Sequence, residues 1–129
     1  MTIPMITECE FFSYHKEDDY QIWLCLFELE GQEEKFHLYL GIRQGKWICG
    51  NLFKGHDFKH QSGVEATGVS FSICHLFEQL VQILQSHSKD RLRLLTYRER
   101  DYGYGNETFQ PLASYNLPKK VKMNEGSVL

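Results

Sequence analysis

Apolar and polar positions alternate through most of the first fifty residues, and turn residues cut the alternation into strands. Cys9 to His15 predicts a first strand, closed by the polar turn Lys16-Glu17-Asp18-Asp19. From Tyr20 to Glu30 both alternating sets are apolar, Ile22/Leu24/Leu26 and Trp23/Cys25/Phe27, as in a central strand covered on two sides. Lys35 to Arg43 places Phe36, Leu38, Leu40 and Ile42 on one side and Lys35, His37, Tyr39 and Arg43 on the other, which predicts a strand with one wet face. Gln44-Gly45 supplies the positive-φ residue of a tight hairpin, and Gly45 to Phe53 returns as the next strand, with Gly50 marking a bulge or a close backbone approach.

The period then changes. Residues 54–68 carry Gly55, Gly63 and Gly68 without an apolar rhythm, so they read as a loop. Ile73, Leu76, Phe77, Leu80, Val81 and Leu84 follow at spacings of three and four, the stripe of an amphipathic helix over 72–87 capped by Ser70 or Ser72. Arg91 to Arg100 alternates again and predicts a fifth strand with a cationic face. Thr108 to Leu112 predicts a brief pairing after a glycine-tyrosine loop, and residues 116–129 read as a flexible tail. Together these elements predict an α+β fold: a four- or five-stranded antiparallel meander with one helix packed on it, forming a single domain over residues 1–115.

Composition fits that picture. The chain has 129 residues, 42% hydrophobic and 24% charged, enough to bury roughly two thirds of its unfolded surface around one core without a metal or a disulfide. No run approaches the roughly 18 apolar residues of a membrane span, and the opening MTIPMITECEFF has no secretory pattern. An intracellular location, cytoplasmic or nuclear, is therefore expected. Cys9, Cys25, Cys49 and Cys74 form no C-x-x-C pair, three of them lie in apolar or alternating runs, and all four read as reduced core thiols.

Charge is unevenly distributed. Residues 1–40 hold nine acids against Lys16 and Lys35, a net charge of −7, so residues 41–129 carry +4 of the overall −3. An anionic partner would meet the second half of the chain.

Candidate catalysis is sparse. His56 and His60 stand four apart with Asp57 between them, but Gly55 and Gly63 argue against a helix that would bring the two together as metal ligands. No nucleophile elbow, zinc-protease or phosphate-loop pattern occurs, and adjacent Cys74 and His75 would not face each other on a helix. No catalytic residue, metal or cofactor is expected.

Binding chemistry is better represented. Arg43, Lys46, Lys54 and Lys59 cluster around the second hairpin with Trp47, Tyr39 and Phe53; cations for phosphate interleaved with flat rings for bases suit single-stranded DNA or RNA. The alternative is a protein-binding inhibitor or immunity-type protein whose acidic residues, Glu17, Asp18, Asp19, Glu30, Glu33 and Glu34, dock onto and mask a basic enzyme.

The order Gly45-Lys46-Trp47-Ile48, a polar loop to Gly68, Gly68-Val69-Ser70-Phe71, then Phe77-Glu78-Gln79-Leu80 within the helix resembles the C-terminal domain of the positive cofactor four family of transcriptional coactivators. The resemblance covers about residues 35–86. It implies a curved antiparallel sheet followed by one helix, a homodimer through the helix 72–87, and β-ribbons around Lys46 and Lys54 that hold single-stranded DNA. Where that family carries basic residues ahead of the glycine, this chain has Ala66 and Thr67. A non-enzymatic binding protein near transcription or genome handling is the expectation that results.

Overall fold

The computed structural model describes residues 5–55, 64–65, 73–87 and 117–124. Within them the chain is α+β, with seven strands in one sheet and one helix. Strands β1 (Ile6–Glu17), β2 (Tyr20–Leu29) and β3 (Lys35–Arg43) form an antiparallel meander. Two short strands, β4 (Lys46–Cys49) and β5 (Phe53–Lys54), both pair with β3, and β6 (Val64–Glu65) pairs with β5. Helix α1 spans Ile73–His87, and β7 (Lys120–Asn124) closes the other edge, so the order is β6-β5-β3-β2-β1-β7 with β4 beside β3.

The β3–β4 connection is a two-residue turn in which Gln44 and Gly45 have φ of 50° and 78°. Two successive positive φ values match the twist of the flanking strands, and glycine meets the second without strain. The predicted Gly45-to-Phe53 strand is interrupted. Leu40 faces Cys49 while His37 faces Phe53, so one extra residue stands between β4 and β5, and the Gly50 amide donates to the Tyr39 carbonyl at 2.8 Å. This is the bulge expected at Gly50. It reverses the alternation, sending Leu52 into the core at 2% exposure and Phe53 to the opposite face.

The core lies between the sheet and α1. Cys9, Phe11, Trp23, Cys25, Phe27, Phe36, Leu38, Leu40 and Trp47 meet Leu76, Phe77, Leu80, Val81 and Leu84 of the helix, which with Ile73, whose side chain lies outside those described, make up the predicted stripe. The helix is buried beyond that stripe. Ile83, Glu78 and Gln79 are also buried, and the Gln79 Oε1 accepts from the Ile6 amide at 3.4 Å, tying α1 to the start of β1. Among its described side chains, only His75, Gln82, Gln85 and Ser86 retain access to solvent.

One expectation is corrected. Residues 120–124 do not belong to a loose tail: they run parallel to β1, with Val121 opposite Cys9 and Met123 opposite Phe11 on the core side. Two apolar residues between lysines are too weak a signal for a strand, yet they suffice where a neighbouring edge and a core margin are already in place. The predicted strand Arg91–Arg100 and the pairing at Thr108–Leu112 lie outside the described residues.

Candidate functional site

Each strand of the meander offers its second set of side chains to the face opposite α1. There Leu24 and Leu26, at 0% and 5% exposure, form a floor, and half-buried aromatic rings stand around it. Phe12 faces Leu24, and Leu24 faces Tyr39. Tyr14 is the extra residue of a second bulge, between Ser13 and His15. Its ring meets Tyr39 edge to face, with centroids 4.9 Å apart at 71°. Beside them His37 lies flat on Phe53, 5.2 Å away at 14°. The His37 Nδ1 is 2.6 Å from the Gly55 carbonyl oxygen. Because a carbonyl only accepts, that nitrogen carries the hydrogen.

At one end of this aromatic surface the β1–β2 and β3–β4 turns meet, joined by the Gln44 amide donating to the Asp19 carbonyl at 2.8 Å. Arg43 and Lys46 are register partners there, and the Arg43 guanidinium lies 5.6 Å from the centre of the Tyr20 ring. Toward the other end Lys35 follows His37 on this set of β3, while Lys54, the register partner of the core residue Phe36, reaches Glu34 at 3.4 Å. Between β7 and β2 the same face holds a cavity of about 230 Å³ bordered by the carboxylates of Glu8, Glu10 and Glu28 and the amines of Lys35, Lys120 and Lys122.

These positions revise the site read from sequence. Trp47 is fully buried, 6.4 Å from Trp23 and facing the core side, so it offers no ring to a base. Arg43 and Lys46 are exposed but do not share a cluster with Lys54. Lys54 sits opposite Phe36, seven positions along β3 from Arg43, or about 23 Å at roughly 3.3 Å per residue. Lys59 lies outside the described residues. The acidic set is divided in the same way: Glu17, Asp18 and Asp19 occupy the β1–β2 turn, while Glu30, Glu33 and Glu34 occupy the β2–β3 connection at the far end of β2. A meander places alternate turns at opposite ends, which is why two groups close in composition are far apart in space.

Tyr39 and Phe53 were among the rings read from the sequence beside the hairpin cations, whereas Tyr14 and His37 were not singled out. For His37 the signal was present in part, since it occupies, with Tyr39, the set of β3 predicted to be wet. The bulge that redirects Phe53 left only Gly50 as its mark.

Ionisable groups add detail. Burial pushes the Cys9 thiol up to about 12. Cys25 is raised well above its ordinary value, first by burial and then by its neighbours Cys9 and Cys49. A thiol held protonated in the core is a poor nucleophile. The Tyr39 hydroxyl is raised by partial burial and by adjacent Tyr14. Among the described residues, no three His, Cys, Asp or Glu side chains gather as a metal site, and His56 and His60 lie outside them. No described helix is long and apolar enough to cross a membrane. No family model, curated protein or solved structure matches the chain.

Proposed function

We propose that the protein is a non-enzymatic binding protein that takes single-stranded nucleic acid on the sheet face opposite α1. The observation that carries this reading is the neighbouring placement of half-buried Tyr14, Tyr39 and Phe53 on one face, with Tyr14 edge-on to Tyr39 and Phe53 stacked on buried His37. Flat rings on a sheet accept any base by stacking, and cations at the ends draw in the phosphate backbone. Arg43 and Lys46 are the exposed cations at one end, alongside the acids Glu17, Asp18 and Asp19 of the adjoining turn, and Lys54 is partly engaged by Glu34. On the β7 side Glu8, Glu10 and Glu28 are balanced by Lys35, Lys120 and Lys122, so the rings set the track, from the Arg43 end across Tyr39 toward Phe53.

The acidic docking surface for a basic protein has less support, since its six residues occupy opposite ends of the sheet.

Anisotropy of a labelled oligonucleotide at low and moderate salt tests the proposal. Tyr39→Ala or Phe53→Ala should weaken binding by about 1–3 kcal/mol for each stacked base lost. Arg43→Ala and Lys46→Ala should each lower the salt slope by about one. Absence of salt-sensitive binding, or unchanged affinity in Tyr39→Ala, would overturn it.

A further inference from the structure

The cavity beside the ring track is crossed by one ladder of charged side chains. Lys35 of β3 faces Glu28 of β2, Glu28 faces Glu8 of β1, and Glu8 faces Lys120 of β7. All four border the cavity of about 230 Å³, with Leu26 among its lining at 5% exposure. Two acids directly opposite each other on neighbouring strands repel, so the sheet carries this pair against its own stability. The flanking lysines do not relieve it. Glu8, Glu28, Lys35 and Lys120 enter none of the ion pairs among the described residues, whereas Glu10 is held by Lys122 at 3.4 Å and by Asn124 Nδ2 at 2.8 Å.

A carboxylate only accepts hydrogen bonds, and a lysine ammonium only donates them. From Glu8 through Glu28 to Lys35 the ladder therefore offers acceptors, acceptors again, and then a donor. A simple anion would meet the acids. A guanidinium or a metal ion would meet the lysines and has no acceptor for Lys35. Among the nucleobases, guanine alone carries two adjacent N–H donors on its pairing edge, at N2 and N1, followed by the acceptor O6. Position points the same way. Lys35 continues the set of β3 that carries Tyr39 and His37, two residues or about 6.6 Å beyond His37, so a base leaving the rings reaches the ladder next.

We propose that this cavity reads guanine in the bound strand: Glu28 accepts from N1–H and N2–H, Glu8 accepts the second N2 hydrogen, and Lys35 donates to O6. This preference rests on the proposed single-strand track and adds base selectivity to it. Glu28 is half-buried, where weaker competition from water strengthens a charge-assisted hydrogen bond, and exposed Glu8 contributes less. The two opposed acids are then answered by one amino group set between them.

Anisotropy of three labelled oligomers tests it on the full chain: oligothymidine, the same oligomer with one central guanine, and the same with inosine in that place. Inosine lacks only the N2 amino group. The guanine oligomer is expected to bind about 5- to 150-fold more tightly than oligothymidine, the worth of one good bidentate base contact. Inosine should forfeit most of that gain. Glu28→Gln, which exchanges one acceptor for a donor, should abolish the preference, and Glu8→Gln should reduce it. Salt-sensitive binding that ignores guanine, or guanine and inosine bound alike, overturns the guanine reading and leaves the single-strand track standing. A guanine preference untouched by Glu28→Gln overturns it as well, and absence of binding by all three oligomers overturns both. Comparing the oligomers on the unaltered chain needs no variant, so it decides the matter even if Glu28→Gln fails to fold.

Discussion

His37 Nδ1 lies 2.6 Å from the carbonyl oxygen of Gly55, so a side chain in the middle of the sheet fixes the exit of β5. The Gly55 amide in turn donates to the Lys35 carbonyl at 2.5 Å, and the imidazole rests on Phe53. His37→Ala removes the hydrogen bond and the stacked ring together. Losing the bond and leaving the carbonyl without its partner costs about 1–3 kcal/mol, and the ring pair adds about 0.5–1.5. His37→Phe keeps the stack and should recover part of the loss. Urea unfolding of both variants at unchanged m-value checks the order: unaltered protein most stable, then Phe, then Ala.

Gly41 on β3 and Gly50 between β4 and β5 make a contrasting pair. A Cβ at Gly41 would stand 2.9 Å from the Gln21 carbonyl oxygen and 3.2 Å from Ile48 Cγ1. Backbone cannot step aside there, and Gly41→Ala should destabilise by about 1–3 kcal/mol. At Gly50 the nearest atom to a new Cβ is 3.8 Å away. Gly50→Ala should therefore be neutral or stabilising by up to about 1 kcal/mol, through the unfolded chain it stiffens. Thermal unfolding of the two variants side by side separates close packing from bulge geometry.

Much of this fold was legible in the sequence. The doubly apolar run of β2 predicted a central strand, and Leu24 and Cys25, both at 0% exposure, show burial on its two faces. The spacing from Ile73 to Leu84 predicted a helix over 72–87, and α1 spans Ile73–His87. Legibility ended where an element depends on its neighbours. Val121 and Met123 become a strand because β1 has a free edge, which no local pattern states. Phe53 changes face because one inserted residue reverses parity, and composition does not record parity. Glu78 and Gln79, polar by sequence, are buried because α1 is enclosed beyond its stripe. The predicted cationic and acidic groups were chosen by residue type, and strand direction then distributed them to opposite ends.

The thiols give a pH dependence with a definite sign. Burial raises Cys9 to about 12 and raises Cys25 as well, from an ordinary value of 9.0. Below pH 9 the thiol is protonated whether the chain is folded or not, and its contribution to stability is fully present. Above pH 9 the unfolded chain loses the proton and the folded chain does not. Stability should thus fall as pH rises from 9 toward 12, by at most about 1.4 kcal/mol per pH unit for each such thiol. Unfolding midpoints measured from pH 7 upward check this, and Cys9→Ala should flatten the decline. In the folded protein at neutral pH, Cys9 and Cys25 should react with a thiol reagent only at the rate of opening.

Core and face aromatics should separate in paired measurements of stability and binding. Trp47 is fully buried and its Nε1 has no hydrogen-bond partner among the described residues, so its indole contributes by packing against Trp23 and the rest of the core. Trp47→Ala should cost about 3–5 kcal/mol of stability. Trp47→Phe should cost much less, because it removes the unpartnered N–H along with part of the ring. Since Trp47 faces away from the proposed nucleic-acid track, Trp47→Phe should leave oligonucleotide affinity unchanged. Tyr39→Ala, on a half-buried ring, should give the reverse pattern, with a modest loss of stability and a clear loss of affinity. Both tryptophans are nearly inaccessible, at 4% for Trp23 and 0% for Trp47. Their emission should therefore resist quenching by iodide in the folded protein and stay unshifted when an oligonucleotide binds. A strong quench of tryptophan on binding would place the ligand at the core rather than on the Tyr14 and Tyr39 face, and would move the site.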